Sequence, residues 1–371
     1  MRRLFIFLIL SVIFGLTCPV GAAVTYTPFI GPEGAAFNLS NVGMIGDGIG
    51  YGTVNWAGSS AVLYKTTDNG VTWNQVGTLA TGNVSENGHL EFYFGADEIW
   101  YSTMIKSSMY AYSSGKLGVS RDEGATWINF NDQIDSMMAA ASSPRDCFAR
   151  APGLPGCFVT TGRMGNTWGL SADGGATWTW GQNQYFFGRF KAGIDQVYMA
   201  GKTEMTTPFY NLNRYDPAIG GFVNFDAAVP ADLYLGTWHV LNGAMANVLT
   251  LTDIETETFT PATYVVASVD GGATFTTYFS GEEGFTLLDG LAVSQGVVFV
   301  AGQVASGGEV HLQIRMTFDG GMSWSVLVDE VTTDTASFIF DRTGTVYAVR
   351  TQAGAMGAPG GSTGFWRLSM D

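Results

Sequence analysis

Residues 171–178 read SADGGATW. An Asp set among glycines and hydroxyl residues beside a Trp is compatible with a reactive site, a metal loop or a tight turn. Its copies decide between these. TTDNGVTW occupies 66–73, SRDEGATW 120–127, SVDGGATF 268–275 and TFDGGMSW 317–324. The shared pattern is S/T-x-D-x-G-x-T/S-W/F. The aspartates stand at 68, 122, 173, 270 and 319, so the spacings are 54, 51, 97 and 49 residues. The 97-residue gap holds one degraded copy, RYDPAIGGF, centred on Asp216. Ser369-Met370-Asp371 match the start of another, 52 residues after Asp319. A period of about 50 residues marks a repeat architecture.

Each unit follows one grammar. LDGLAVSQGVVFVAGQ (288–303) reads as strand, turn, strand, and ASFIFDRTGTVYAVR (336–350) does the same. A third strand runs into the Asp motif in EVHLQIRMTFDGG, and the following WSVLV opens a fourth. Alternation and β-branched or aromatic enrichment mark these as strands, and the chain beyond residue 23 shows no helical period. Repeated four-stranded units of this length predict an all-β, seven-bladed β-propeller, with six blades as the alternative. The strand-like VTYTPFI near the N-terminus is expected to supply the fourth strand of the last blade. It would thereby remove an open sheet edge.

The totals fit such a scaffold. Of 371 residues, 46% are hydrophobic, 50 are glycine and only 13% are charged, about half the usual ~25%. Arg2 and Arg3 precede an apolar run from Leu4 to Leu16 and small residues at Gly21, Ala22 and Ala23. This is the tripartite pattern of a secretory signal over 1–23, too short to span a bilayer. A single domain over 24–371 follows it, secreted or periplasmic and without an integral membrane segment. Removing the two arginines leaves 15 cations against 32 carboxylates. Such an acidic surface repels phosphate backbones and argues against nucleic-acid partners. In an oxidising compartment Cys147 and Cys157 are expected to form a disulfide.

The motif itself reads as a self-satisfied turn. Asp accepts hydrogen bonds from turn amides, and Gly supplies positive φ. The aromatic residue is large enough to wedge between neighbouring sheets. The structural residues are Asp68, Gly70, Trp73, Asp122, Gly124, Trp127, Asp173, Gly175, Trp178, Asp270, Gly272, Phe275, Asp319, Gly321 and Trp324. DGGAT lacks the ligand density of a calcium loop, so no metal and no cofactor is expected.

This motif resembles the Asp box, or bacterial neuraminidase repeat. Such repeats occur in sialidases, xyloglucan-cleaving glycoside hydrolases, sortilin-type receptors and photosystem II assembly factors. The resemblance covers essentially the whole chain beyond residue 23 and implies a propeller, but it does not fix an activity. A sialidase carries an aromatic-Arg-Ile-Pro motif ahead of its first Asp box. The nearest stretch here is Phe29-Ile30-Gly31-Pro32, without arginine. The assembly factors are similar in size, blade count and export, but the chain has only five lysines for a basic partner-facing patch.

Strand parity then sorts the connections. Turns between first and second and between third and fourth strands share one face with the boxes. Connections between second and third strands, and between blades, share the other. Four stretches are expected as long loops there: 102–116, 201–213, 252–262 and 351–364. Loops gathered on a rigid scaffold are where binding normally resides. The candidates on that face are Glu204, Asp253, Glu255, Glu309, Tyr110 and Tyr210, joined by Glu257, Glu282 and Glu283. The expected function is a monomeric binding or assembly module for a protein or glycan. The alternative is a non-sialidase glycoside hydrolase with two carboxylates across a cleft. His89, His239 and His311 fall in different units without ligand spacing. Gly360–Gly364 matches G-x-S-x-G but lies in a Gly/Ala/Pro-rich stretch, without the strand-to-helix turn of a nucleophile elbow.

Overall fold

A computed structural model describes residues 23–368 apart from 35–37, 57–59, 81–88, 96, 109–110, 131–147, 151–156, 162–166, 183–185, 194, 203–210, 226–234, 243–246, 254–263 and 353–360. The described residues are all β, without a helix. Their strands form seven four-stranded sheets, each a continuous antiparallel meander. In chain order these blades span residues 41–80, 89–129, 148–182, 186–224, 235–280, 285–331 and 335–368. The last holds three strands of its own, and Val24–Pro28 supplies its fourth. That strand pairs antiparallel with Ser362–Leu368, Val24 opposite Leu368 and Pro28 opposite Gly364.

At most seams the first strands of neighbouring blades touch one another, so they line the axis. Apolar clusters fill every seam between consecutive blades. Leu312, Ile314 and Met316 of blade 6 meet Phe338, Ala348 and Trp366 of blade 7. Phe29 and Phe365 meet Met44 and Trp73 where blade 7 meets blade 1. A sheet that buries both faces in this way has no free face left, and burial on closing the ring is the main source of its stability.

The repeated turn is built identically in all five full copies. The Ser or Thr that opens it donates its hydroxyl to Asp Oδ1 at 2.6–2.9 Å. The oxygen of that hydroxyl in turn accepts the N–H of the motif glycine at 2.7–2.9 Å. The second hydroxyl residue gives its backbone N–H to Oδ1 at 2.8–2.9 Å and its hydroxyl to Oδ2 at 2.5–2.6 Å. Two consecutive residues have positive φ, for example Asn69 at 59° and Gly70 at 82°. The motif glycine also abuts the preceding blade. A Cβ on Gly175 would lie 2.3 Å from the Phe130 ring, and one on Gly70 2.5 Å from the Phe365 ring. So the spacing D-x-G serves both the turn and the seam. In the degraded copy Arg214 replaces the opening hydroxyl, and among the described residues Asp216 keeps an Asx-type bond from Ala218 N–H at 2.8 Å.

One expectation changes. Within 102–116, residues 102–108 and 111–116 are not loop. They belong to strands Ile99–Ser108 and Ala111–Ser120, paired from Ile99–Ser120 out to Ser108–Ala111. Ser and Lys residues there read as a loop, yet the Ile, Met and Tyr residues among them are compatible with strands, and backbone pairing decides. The glycine-rich 46–52 is a tight hairpin, with Asp47 and Gly48 at φ 54° and 78° between strands Asn41–Gly46 and Ile49–Trp56. Both positive angles match a type I′ turn.

Candidate functional site

The axis carries a buried polar network where polarity is least anticipated. The first strand of blade 6, Phe285–Ala292, reads FTLLDGLA, and its one charge is Asp289, 1% exposed. A β-bulge between Leu287 and Asp289 re-aims this side chain, as bulges beside functional sites do. The first strand of blade 5 bulges likewise between Leu235 and Thr237. As a result three blades meet at one carboxylate. Oδ1 accepts the Thr237 hydroxyl at 2.8 Å and the Gly290 N–H at 2.9 Å. Oδ2 accepts the Phe338 N–H of blade 7 at 2.8 Å. His239 Nε2 lies 2.9 and 3.1 Å from the two oxygens.

Burial alone would raise the Asp289 carboxyl. The charge and hydrogen bond of His239, with the Phe338 N–H and the Thr237 hydroxyl, reverse this and hold it below the ordinary carboxylate range. An ionised carboxylate only accepts, so Nε2 of His239 must carry its proton. The free ring nitrogen is Nδ1, on a side chain 14% exposed. Chemically this is an imidazole held through its Nε2–H by a buried carboxylate, with Nδ1 outside that pair. Register places Thr250 and Thr252 opposite His239 and Thr237, both fully buried. Thr250 accepts the Ala292 N–H at 2.9 Å, whereas Thr252 Oγ1 has no partner. The seam between blades 5 and 6 is therefore polar near the axis.

A second polar array lies toward the loop face of blades 6 and 7. His311 Nδ1 is 2.9 Å from Asp329 Oδ1, and Gln313 Nε2 donates to Asp329 Oδ2 at 3.2 Å. Arg315 donates Nε–H to Gln313 Oε1 at 2.9 Å and Nη1–H to Glu282. Its guanidinium sits 4.3 Å from the Phe285 ring centre. In the next seam Arg350 bonds Asp334 at 2.6 Å and Glu330 at 3.0 Å, 5.9 Å from the rings of Tyr26 and Trp366.

Of the residues singled out in the sequence, Glu309 is exposed at the start of strand Glu309–Thr317, after the Gly307–Gly308 turn. Glu282 and Glu283 stand exposed in the connection leading into blade 6. Asp253 ends strand Asn247–Asp253 opposite Leu235. Glu204, Glu255, Glu257, Tyr110, Tyr210 and Cys147 lie outside the described residues, so the Cys147–Cys157 pairing does too. Cys157 opens strand Cys157–Thr161. Ser362 is a buried strand residue bonded through its backbone to Leu39, not a residue at a strand-to-helix turn. Among the described residues no cluster of three or more His, Cys, Asp or Glu could hold a metal ion. No helix there is long and apolar enough to cross a membrane.

Asp289 was missed in the sequence. Its signal was available: a lone carboxylate in the middle of an otherwise apolar strand must be paired or functional. Its partners stand about 50 residues away on either side, one repeat in each direction.

No protein-family model matches the sequence, and no curated protein matches it. Solved structures define the class as a β-propeller. The chain is similar to an ulvan lyase of polysaccharide lyase family PL25, with TM-score 0.56 and 10% identity over 93% of this chain and 96% of that one. It is similar to the endosialidase of phage phi92, with TM-score 0.52 and 8% identity over 94% and 69%. It is also similar to a prolyl endopeptidase, with TM-score 0.56 and 11% identity over 91% of this chain. The chain spans about half the length of that endopeptidase, 51%. At such identities the likeness is one of fold.

Proposed function

We propose that this chain is an exported propeller that binds a glycan on the face carrying the second-to-third-strand and blade-to-blade connections. The observation that carries this reading is the ordered array from His311 through Asp329, Gln313 and Arg315 to Glu282, flanked by Arg350 with Tyr26 and Trp366. Sugar hydroxyls both donate and accept. Fixed planar amide, carboxylate and guanidinium groups beside aromatic rings offer them matched partners. The described carboxylates of this array are each tied to a cation or an amide. None of them is an opposed acid and base pair across a cleft, so binding is favoured over hydrolysis. Similarity in fold to an ulvan lyase over nearly its whole length, and to an endosialidase over 69% of its chain, supports the choice of ligand class.

A glycan array probed with the exported protein tests it. Binding should fall about tenfold or more in the double variant Gln313→Ala/Asp329→Ala. Absence of any glycan ligand, or turnover abolished by alanine at two loop-face carboxylates, would overturn it.

The His239–Asp289 pair favours a second reading, an enzyme using His239 as acid or base on an extracellular polysaccharide. Release of oligosaccharides by the wild type, lost in His239→Asn with an unchanged melting curve, would support that reading. A wild type inert on every polysaccharide it binds would dismiss it.

A further inference from the structure

The boxes' face holds a cavity of its own. It has a volume of about 140 Å³ and lies on the axis where the first strands end. Met44 and Ile45 come from blade 1, Tyr93 and Phe94 from blade 2, Ala192 and Gly193 from blade 4, Val240 from blade 5 and Phe340 from blade 7. These side chains are mostly apolar. Two charged residues complete the lining, Asp341 and Arg342.

The two charges differ in what they have left to offer. Asp341 is buried and committed to its own turn. It accepts the N–H groups of Thr343 and Thr345 at 2.8 and 3.0 Å and the Thr343 hydroxyl at 2.6 Å. The Tyr347 hydroxyl reaches its other oxygen at 3.3 Å. Arg342 is exposed, and its backbone N–H bonds Ile45 O at 3.2 Å. Its guanidinium has no hydrogen bond or ion pair among the described residues. By contrast, Arg121, Arg315 and Arg350 are all engaged. A guanidinium without a partner among the described residues, at a half-open cavity whose walls mix apolar side chains with polar groups, is matched by a carboxylate.

We infer that this axial cavity binds a small monocarboxylate with an apolar ring, of the benzoate class, its carboxylate on Arg342. The volume suits one ring, since a cavity of about 150 Å³ takes up benzene, and Met44, Ile45, Phe94, Val240 and Phe340 give that ring apolar contact. The site lies at the other end of the axis from the array proposed for glycans, so it does not depend on that reading.

Titration of the exported protein with benzoate, followed by calorimetry or by ligand-observed NMR, tests the inference. Saturable binding is expected, weakened about tenfold or more in Arg342→Gln. Benzamide, equal in shape but neutral, should bind as weakly to the wild type as benzoate does to that variant. Arg342 is an exposed turn residue, so this change leaves folding intact. Ala192→Leu, which fills the cavity without touching the charge, should also remove binding. Binding of glucuronate but not benzoate would show that the walls do not act as an apolar site and would overturn the proposal. Benzoate affinity equal in wild type and Arg342→Gln would overturn it too, as would no binding by either acid.

Discussion

At the scale of single residues, carboxylates do two different jobs. Asp289 is buried and receives five contacts from three blades. Alanine there would leave the Phe338 N–H, the Thr237 hydroxyl and the His239 ring without their acceptor in a site closed to water. Breaking a buried charged pair in this way costs about 3–5 kcal/mol, which a denaturant titration would read as a lower midpoint at unchanged slope. The turn aspartates are exposed or half-buried but strongly bonded. The hydroxyl and N–H of Thr177 hold the Asp173 carboxyl down at about 2, and Ser268 and Thr274 do the same for Asp270. Asp319 is held at about 2 by Ser323 and Thr317. In the unfolded chain each returns to about 3.9. Their folded values are depressed, so their contribution is fully present above pH ~4 and is lost as the pH falls toward ~2. Melting temperature plotted against pH should drop across that window. The drop should be shallower in the triple variant Asp173→Asn/Asp270→Asn/Asp319→Asn, which leaves only Asp68 and Asp122 of the box carboxylates to protonate.

At the scale of elements, the hairpin turn shows why so much was legible in advance and where legibility stopped. Everything a box needs lies within eight consecutive residues: the opening hydroxyl, the Asp, two positive-φ positions and the aromatic wedge. Local chemistry of this kind can be read directly, and it located the turn between third and fourth strands in each full copy. The same chemistry identified the degraded turn at Asp216. The seam contact of the glycine was not legible, because Phe130 and Gly175 are brought together only when two blades pack. Nor was the Asp289 network, whose partners stand one repeat away on either side and are aimed by bulges that leave no pattern in a strand of six to eight residues. The double duty of the motif glycine is testable. Gly220→Ala places a side chain at φ 62° with open space around it, so it should cost about 1–2 kcal/mol for the left-handed backbone alone. Gly175→Ala has that same penalty at φ 98°, and its Cβ would also lie 2.3 Å from the Phe130 ring. Overpacking of a seam adds about 1–3 kcal/mol. Chemical denaturation of both variants should therefore place Gly175→Ala well below Gly220→Ala; equal losses would mean that the turn alone, not the seam, requires glycine.

At the scale of the whole molecule, the ring is held shut by a segment from the opposite end of the sequence. Val24–Pro28 completes blade 7, and Phe29, its next residue, is fully buried at the seam with blade 1. Its ring meets Trp73 of the first box edge-on at 5.3 Å and Phe365 at 5.7 Å. Ile30 O accepts the Trp73 N–H at 3.2 Å, and Leu39 exchanges backbone hydrogen bonds with Ser362 at 2.9 and 2.7 Å. One short stretch thus joins strand pairing, aromatic packing and the first repeated turn. Phe29→Ala should cost about 3–5 kcal/mol by the cavity it leaves, and the loss should fall on closure rather than on one blade. Repeat arrays without closure unfold in pieces, because each unit contacts only its neighbours. The expected signature is therefore a broadened transition in Phe29→Ala, with hydrogen exchange accelerated first in Ser362–Leu368, whose edge the N-terminal strand covers. Removing residues 24–29 should go further. It exposes that edge to pairing with a second chain, so the truncated protein should elute as a concentration-dependent dimer or aggregate. A truncated chain that stays monodisperse and melts as sharply as the parent would show that the other seams hold the ring without this strand.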